Sequence, residues 1–152
     1  MPKTILFIDD DSNITDMLCM HFKMKGFSVY AAGDGLEGIE VCRRVNPDVI
    51  LIDLKMRHMD GDVAIPYLRA EVPQAKIILL SGYAKEAGAL AAGNLEIDAY
   101  VEKPASIVAL CTMVRDMLLP TDSVLSENLQ TGVHKAVLGR DRQAEEECAS
   151  CN

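Results

Sequence analysis

The chain reads as an α/β protein, a doubly wound parallel sheet with helices on both faces. Three observations carry that reading. Short runs made almost wholly of apolar, often branched residues recur along the sequence, the composition of strands buried on both sides. Amphipathic stretches of helical spacing alternate with them. Asp, Ser, Asn, Gly and Pro stand at the joins, where capping and turn chemistry belong. Such alternation calls for right-handed crossovers and helices on either side of the sheet. With 152 residues, 49% of them hydrophobic, the chain suffices for one domain of this kind and is too short for two.

Taken in order, Ile5-Leu6-Phe7-Ile8 forms the first strand. Ser12 is suited to cap a helix whose apolar positions are Ile14, Met17, Leu18 and Phe22, with His21 on the same spacing. Gly26 fits the left-handed position that ends it. Val29-Tyr30-Ala31 gives a second strand, and Asp34 with Glu37 resembles a capping box for a helix through Leu36, Ile39, Val41, Cys42 and Val45. Asn46-Pro47 stops that helix. Asp48 to Ile52 and Lys76 to Leu80 are the third and fourth strands. The helix between them, around Asp62 to Glu71, contains Pro66, and an interior proline costs about 3 kcal/mol. It is therefore expected to start near Ile65 or to bend. A helix over Lys85 to Ala92, a short strand Ala99-Tyr100-Val101 and a helix on Ile107, Leu110, Cys111, Val114 and Leu118 complete the domain.

In an open parallel sheet, ligands sit beyond the carboxyl ends of the strands, where the strand order reverses. Asp9, Asp10 and Asp11 follow the first strand, Asp53 the third, Ser81 the fourth, and Lys103 the fifth. Carboxylates gathered there repel one another and lose hydration, and a divalent cation relieves both. Oxygen donors without a histidine or cysteine set favour Mg²⁺ or Mn²⁺ over Zn²⁺. Capping of the next helix accounts for Asp11 or Ser12 alone. It does not account for Asp9, Asp10, Asp53, Ser81 and Lys103 together.

The segments ILFIDDD (5–11), DLKMRHMDG (53–61), IILLSGY (77–83) and YVEKP (100–104) resemble the bacterial response-regulator receiver domain over residues 3 to about 119. The resemblance implies a flavodoxin-like, five-stranded parallel sheet in the order 2-1-3-4-5. It implies phosphorylation at Asp53, a Mg²⁺ bound by Asp9, Asp10, Asp53 and the Lys55 carbonyl, and catalytic roles for Lys103 and Ser81. Tyr100 takes the aromatic switch position. A sensor histidine kinase or phosphotransfer protein is the implied donor. A downstream protein, or a second copy, is the implied partner of the face made by the fourth helix, fifth strand and fifth helix.

The chemistry suits these residue types. Asp53 is the nucleophile towards phosphorus, Lys103 offers an ammonium to the phosphoryl oxygens, and Ser81 donates a hydrogen bond once they arrive. Water then reverses the reaction. Movement of Ser81 opens room for Tyr100; the plainer reading makes Tyr100 a half-buried strand aromatic. The family commonly has proline where this chain has Arg57, which predicts a freer loop over Met56 to Met59. Lys55, Arg57 and His58 form a basic rim, either an attractor of anionic donors or an ordinary solvated surface. Gly82 leaves room after Ser81, and Tyr83 is placed to line the entrance.

Residues 1–119 are read as the receiver domain and 120–152 as a C-terminal extension, partly helical or a linker. Leu125, Leu129, Val133 and Val137 recur every four residues. Cys148 and Cys151 have redox spacing but read as tail. The net charge of −8 opposes direct nucleic-acid binding. No apolar run reaches the ~18–20 residues of a membrane span. Five scattered cysteines and the lack of a secretory pattern point to the cytoplasm. Two rivals stand. A haloacid-dehalogenase-type phosphatase leaves Asp53 without a role, and a non-phosphorylated interaction module leaves the whole acidic set without one.

Overall fold

The computed structural model describes residues 2–82, 84–93, 95–119 and 133–135. Strands β1 (Thr4–Ile8), β2 (Ser28–Ala32), β3 (Val49–Asp53), β4 (Lys76–Ser81) and β5 (Ala99–Glu102) alternate with helices α1 (Ser12–Met24), α2 (Gly35–Val45), α3 (Gly61–Glu71), α4 (Ala84–Ala92) and α5 (Ile107–Leu118). These five strands are parallel in the order β2-β1-β3-β4-β5. A sixth strand, β6 (Val133–Lys135), lies antiparallel on the outer edge of β5. Val133, one of the stripe of residues recurring every four positions, lies in this strand, where an open sheet edge supplies backbone partners. The other stripe residues, Leu125, Leu129 and Val137, and the Cys148–Cys151 pair lie outside the described residues.

Period-two alternation divides the core between the two faces of the sheet. Leu6, Ile8, Ile50, Ile52, Ile77 and Leu79 pack with Ile39 and Cys42 of α2 and with Ala64, Ile65 and Leu68 of α3. Ile5, Phe7, Val49, Leu51, Ile78 and Leu80 pack with Leu18 and Phe22 of α1 and with Leu110, Cys111 and Val114 of α5. The rings of Phe7 and Phe22 meet edge to face at 5.3 Å. Each fully buried aliphatic residue of β1 and β3 is worth about 1.5–3 kcal/mol. The strand ends are thus fixed on both sides before any polar contact is counted.

Helix ends follow local chemistry, with two departures from the sequence reading. Asp11, not Ser12, caps α1: its carboxylate accepts from the N–H groups of Asn13 at 3.0 Å and Ile14 at 3.4 Å, and Ser12 is already helical. Helix α3 spans Gly61–Glu71 with Pro66 inside it, close to the expected span around Asp62 to Glu71, so of the two expectations for Pro66 the start near Ile65 is not met. Pro66 is exposed, so the Asp62 carbonyl that loses its helical partner shares a solvent-facing side. The forward half of the capping box at α2 forms, Asp34 accepting from the Glu37 N–H at 2.9 Å, while Glu37 reaches one residue further back and accepts from the Gly33 N–H at 2.7 Å. Asn46 ends α2 at a left-handed φ of 48°, and Gly26 follows α1 at a φ of 92°.

Candidate phosphoacceptor site

Strands β1 and β3 pair with Ile8 opposite Ile52, so Asp9 and Asp53 leave the sheet side by side. Asp9 is 4% and Asp53 8% exposed, whereas Asp10 stands in solvent. One carboxylate oxygen from each of the three lies within 4.8 Å of the others. That is the arrangement in which a single cation, directly or through its waters, satisfies all three. The donors are hard oxygens, the set suited to Mg²⁺ or Mn²⁺. Among the described residues no other acidic, histidine or cysteine group has this geometry.

The fourth and fifth strands deliver the cationic side. Ser81 ends β4 opposite Glu102 of β5, and its carbonyl accepts from the Lys103 N–H at 2.7 Å. This backbone bond aims Lys103 across the strand ends. Its Nζ donates to Asp9 Oδ2 at 2.9 Å and lies 3.3 Å from Asp53 Oδ1. Asp9 is held from its other oxygen by the Asp11 N–H at 3.0 Å. The Ser81 side chain is buried beside them.

Electrostatics follow from this enclosure. Burial pushes the Asp53 carboxyl above its ordinary value; the Lys103 charge pulls it back, and the Asp9 charge raises it again. Burial by itself lowers Lys103, but the Asp9 hydrogen bond and the charges of Asp53 and Asp9 outweigh it, so its affinity for the proton rises. A nearly desolvated carboxylate beside a fixed ammonium has its counter-charge built in.

The loop after β3 is pinned at both ends, despite Arg57 standing where proline is common. Asp60 Oδ1 accepts from the Met56 N–H at 2.9 Å, and the Gly61 N–H donates to the Leu54 carbonyl at 2.8 Å. His58 takes a left-handed φ of 65° at the loop's turn. A Cβ on Gly61 would collide with the Asp53 carbonyl oxygen, so only glycine lets α3 start this close to the acidic strand end. The sequence reading assigned Gly61 no part, although an Asp-Gly pair before a helix signals such a turn. Lys55, Arg57 and His58 are exposed as the basic rim requires. Lys55 reaches Glu86 of α4 at 3.3 Å and Asp60 at 3.9 Å, a pairing that sequence spacing does not announce.

Tyr100 is half-buried and packs on the core face that Leu90 of α4 also borders. Its hydroxyl lies 3.5 Å from where a Cβ on Gly88 would stand, so it reaches the underside of α4. Tyr83, expected at the entrance, lies outside the described residues.

Comparison with known proteins agrees with this geometry. Residues 5–115 match the response regulator receiver domain family. The chain is 33% identical over 146 residues to a probable transcriptional regulatory protein, TcrX, of Mycobacterium tuberculosis, covering 92% of this chain and 60% of that one. It is 32% identical over 114 residues to the regulatory protein AtoC of Escherichia coli, of which it spans 25%. Among solved structures, a CheY-like response regulator receiver domain protein from Methanospirillum hungatei superimposes with a TM-score of 0.72 at 27% identity, covering 76% of this chain and 93% of that one. By fold, acidic site and sequence, the chain belongs to the response regulator receiver domain family.

Proposed function

We propose that the protein is a phosphoacceptor switch, in which Asp53 takes a phosphoryl group from a phosphohistidine of a sensor kinase or phosphotransfer protein. The observation that carries the reading is the Asp53 carboxylate set 3.3 Å from Lys103 Nζ and within 4.8 Å of Asp9 and Asp10 oxygens. An Asp53 oxygen attacks phosphorus, the P–N bond breaks, and its electron pair stays on the departing imidazole. Lys103 turns its ammonium to the phosphoryl oxygens as negative charge gathers there. Asp9, Asp10, Asp53 and the Lys55 carbonyl are the groups that would hold Mg²⁺, which when bound supplies further charge neutralisation. In the reverse half, water attacks phosphorus, loses a proton to solvent, and the Asp53 carboxylate leaves intact.

The switch follows from what adjoins the site. Ser81 can turn its hydroxyl to the new anion, and the room it vacates admits Tyr100. This biases the surface of α4, β5 and α5 towards a protein partner or a second copy. The receiver is assigned to residues 1–119 and the remainder to an extension with its own role. The free thiols of Cys19, Cys42 and Cys111 suit the reducing cytoplasm, where such a pathway would run.

The test is intact-mass labelling with a small phosphodonor, with and without Mg²⁺. One phosphoryl group per chain, Mg²⁺-dependent and absent from Asp53→Asn, is the expected result. Equal labelling of Asp53→Asn would place the acceptor elsewhere. No labelling of the parent chain would favour an interaction module, and continuous release of phosphate from many substrates a phosphatase.

A further inference from the structure

Strand β5 is the last of the parallel set, and its outer side would present unpaired N–H and C=O groups. In this chain that side is taken. Ala99, Tyr100 and Val101 stand opposite Lys135, His134 and Val133 in antiparallel register. The occupant arrives from beyond α5 through residues 120–132, so it is tethered to the edge it covers.

Two features mark it as a replaceable occupant. It is only three residues long, so few backbone bonds offset the entropy lost in ordering the segment. The tether nevertheless keeps its effective concentration high, which favours closure while the chain is dilute. The pairing sense also matters. A β5 strand from a second copy, related by a two-fold axis, would approach antiparallel and use the same donors and acceptors. The two occupants exclude each other.

We propose that residues 133–135 are a tethered strand that closes the β5 edge to a second copy of this chain, and that their release permits antiparallel β5–β5 pairing centred on Tyr100. The pairing itself owes nothing to phosphorylation of Asp53; only its use in signalling rests on the function proposed above. Tyr100 belongs to both, because it lies at the centre of the edge pairing and reaches α4 beneath Gly88. A shift of Tyr100 would disturb the edge that β6 covers.

The experiment uses the full chain without phosphodonor, so its outcome is independent of whether Asp53 accepts a phosphoryl group. Two proline variants, His134→Pro and the double variant Val133→Pro/Lys135→Pro, are compared with His134→Ala. Successive strand residues aim their N–H groups to opposite sides, so one proline variant must remove a ladder donor. Amide hydrogen exchange is read at the β5 amides that point away from β4, and sedimentation is run across a wide concentration range. In that proline variant, exchange should rise at least about tenfold in dilute protein, and dimer should appear at concentrations where the parent is monomeric. His134→Ala should match the parent. Parent amides that exchange as fast as those of both proline variants would overturn the closure. Fast exchange in a proline variant that stays monomeric throughout would overturn the second-copy competition. An alanine variant behaving like a proline one would trace the effect to a side chain rather than to strand pairing and would also overturn it.

Discussion

Lys103 Nζ donates to Asp9 Oδ2 at 2.9 Å, although the two residues stand 94 positions apart in the chain. The contact makes Lys103 the internal counter-ion of a carboxylate that is almost fully enclosed, and the same ammonium lies 3.3 Å from Asp53. In Lys103→Met, Asp9 and Asp53 face each other without a cation. Breaking a buried pair from one side costs about 3–5 kcal/mol, and the partial exposure of Lys103 discounts that to about 2 kcal/mol. Urea unfolding in chelator should show this loss. Saturating Mg²⁺ should raise the midpoint of the variant more than that of the parent, because the parent already carries a cation there. Equal shifts in the two proteins would show that the metal and the ammonium do not share these carboxylates.

Asp53 should weaken the fold at neutral pH, and the sign can be worked out. Burial raises its carboxyl in the folded state above the ordinary value, so folding favours the protonated form. The resulting stabilisation is fully present below the unfolded value, about 3.9, and is lost as pH rises through the folded value. Asp53→Asn keeps a neutral group at all pH. Measured without metal, the variant should therefore gain stability relative to the parent as pH climbs from the acid side of the carboxylate range to neutrality. A difference that stays flat, or that shrinks with rising pH, would contradict the cause assigned here.

Gly61 joins the loop to the site through the clash that its missing side chain avoids. In Gly61→Ala the added methyl meets the Asp53 carbonyl oxygen, and backbone on both sides must move. Overpacking of this kind costs about 1–3 kcal/mol. Its particular signature should be a loss of phosphodonor labelling larger than the loss of fold, because the displaced atom belongs to the proposed acceptor residue itself. Asp60→Asn, which keeps an oxygen to accept from the Met56 N–H, should label nearly as the parent does.

The strand ends were legible because all-apolar runs terminate in Asp9, Asp53 and Ser81, and burial on two faces leaves such runs one plausible structure. Helix starts were less so. Asp11 and Ser12 are both good caps, and the choice falls to Asp11 because its backbone, at φ −88° and ψ 100°, is the last extended one. Pro66 misled because its cost depends on which side of the helix loses a bond, and periodicity alone does not say that the side is wet. Ion pairs such as Lys55–Glu86 and Arg69–Asp98, the latter at 3.0 Å, depend on the reach of long side chains between segments. No repeat in the sequence encodes them. Strand β6 was missed for a related reason: three residues carry too little pattern, and the partner edge exists only once the sheet is formed.

Gly88 offers a way to separate the proposed phosphorylation from the proposed switch. The Tyr100 hydroxyl lies 3.5 Å from the Cβ that Gly88 lacks, an ordinary contact distance, so alanine fits. Gly88→Ala should stabilise α4 by about 1 kcal/mol through helix propensity and leave Tyr100 in place. Leucine adds three carbons beyond a Cβ already in contact with the hydroxyl, and Gly88→Leu should push the ring away from α4. Neither variant touches Asp53, Lys103 or the acidic cluster, so labelling by a phosphodonor should match the parent in both. The Tyr100 ring resonances should respond to the donor in the parent and in Gly88→Ala, but not in Gly88→Leu. If the ring responds alike in all three proteins, its place beneath α4 does not govern the proposed switch, and the step from Ser81 to Tyr100 is refuted.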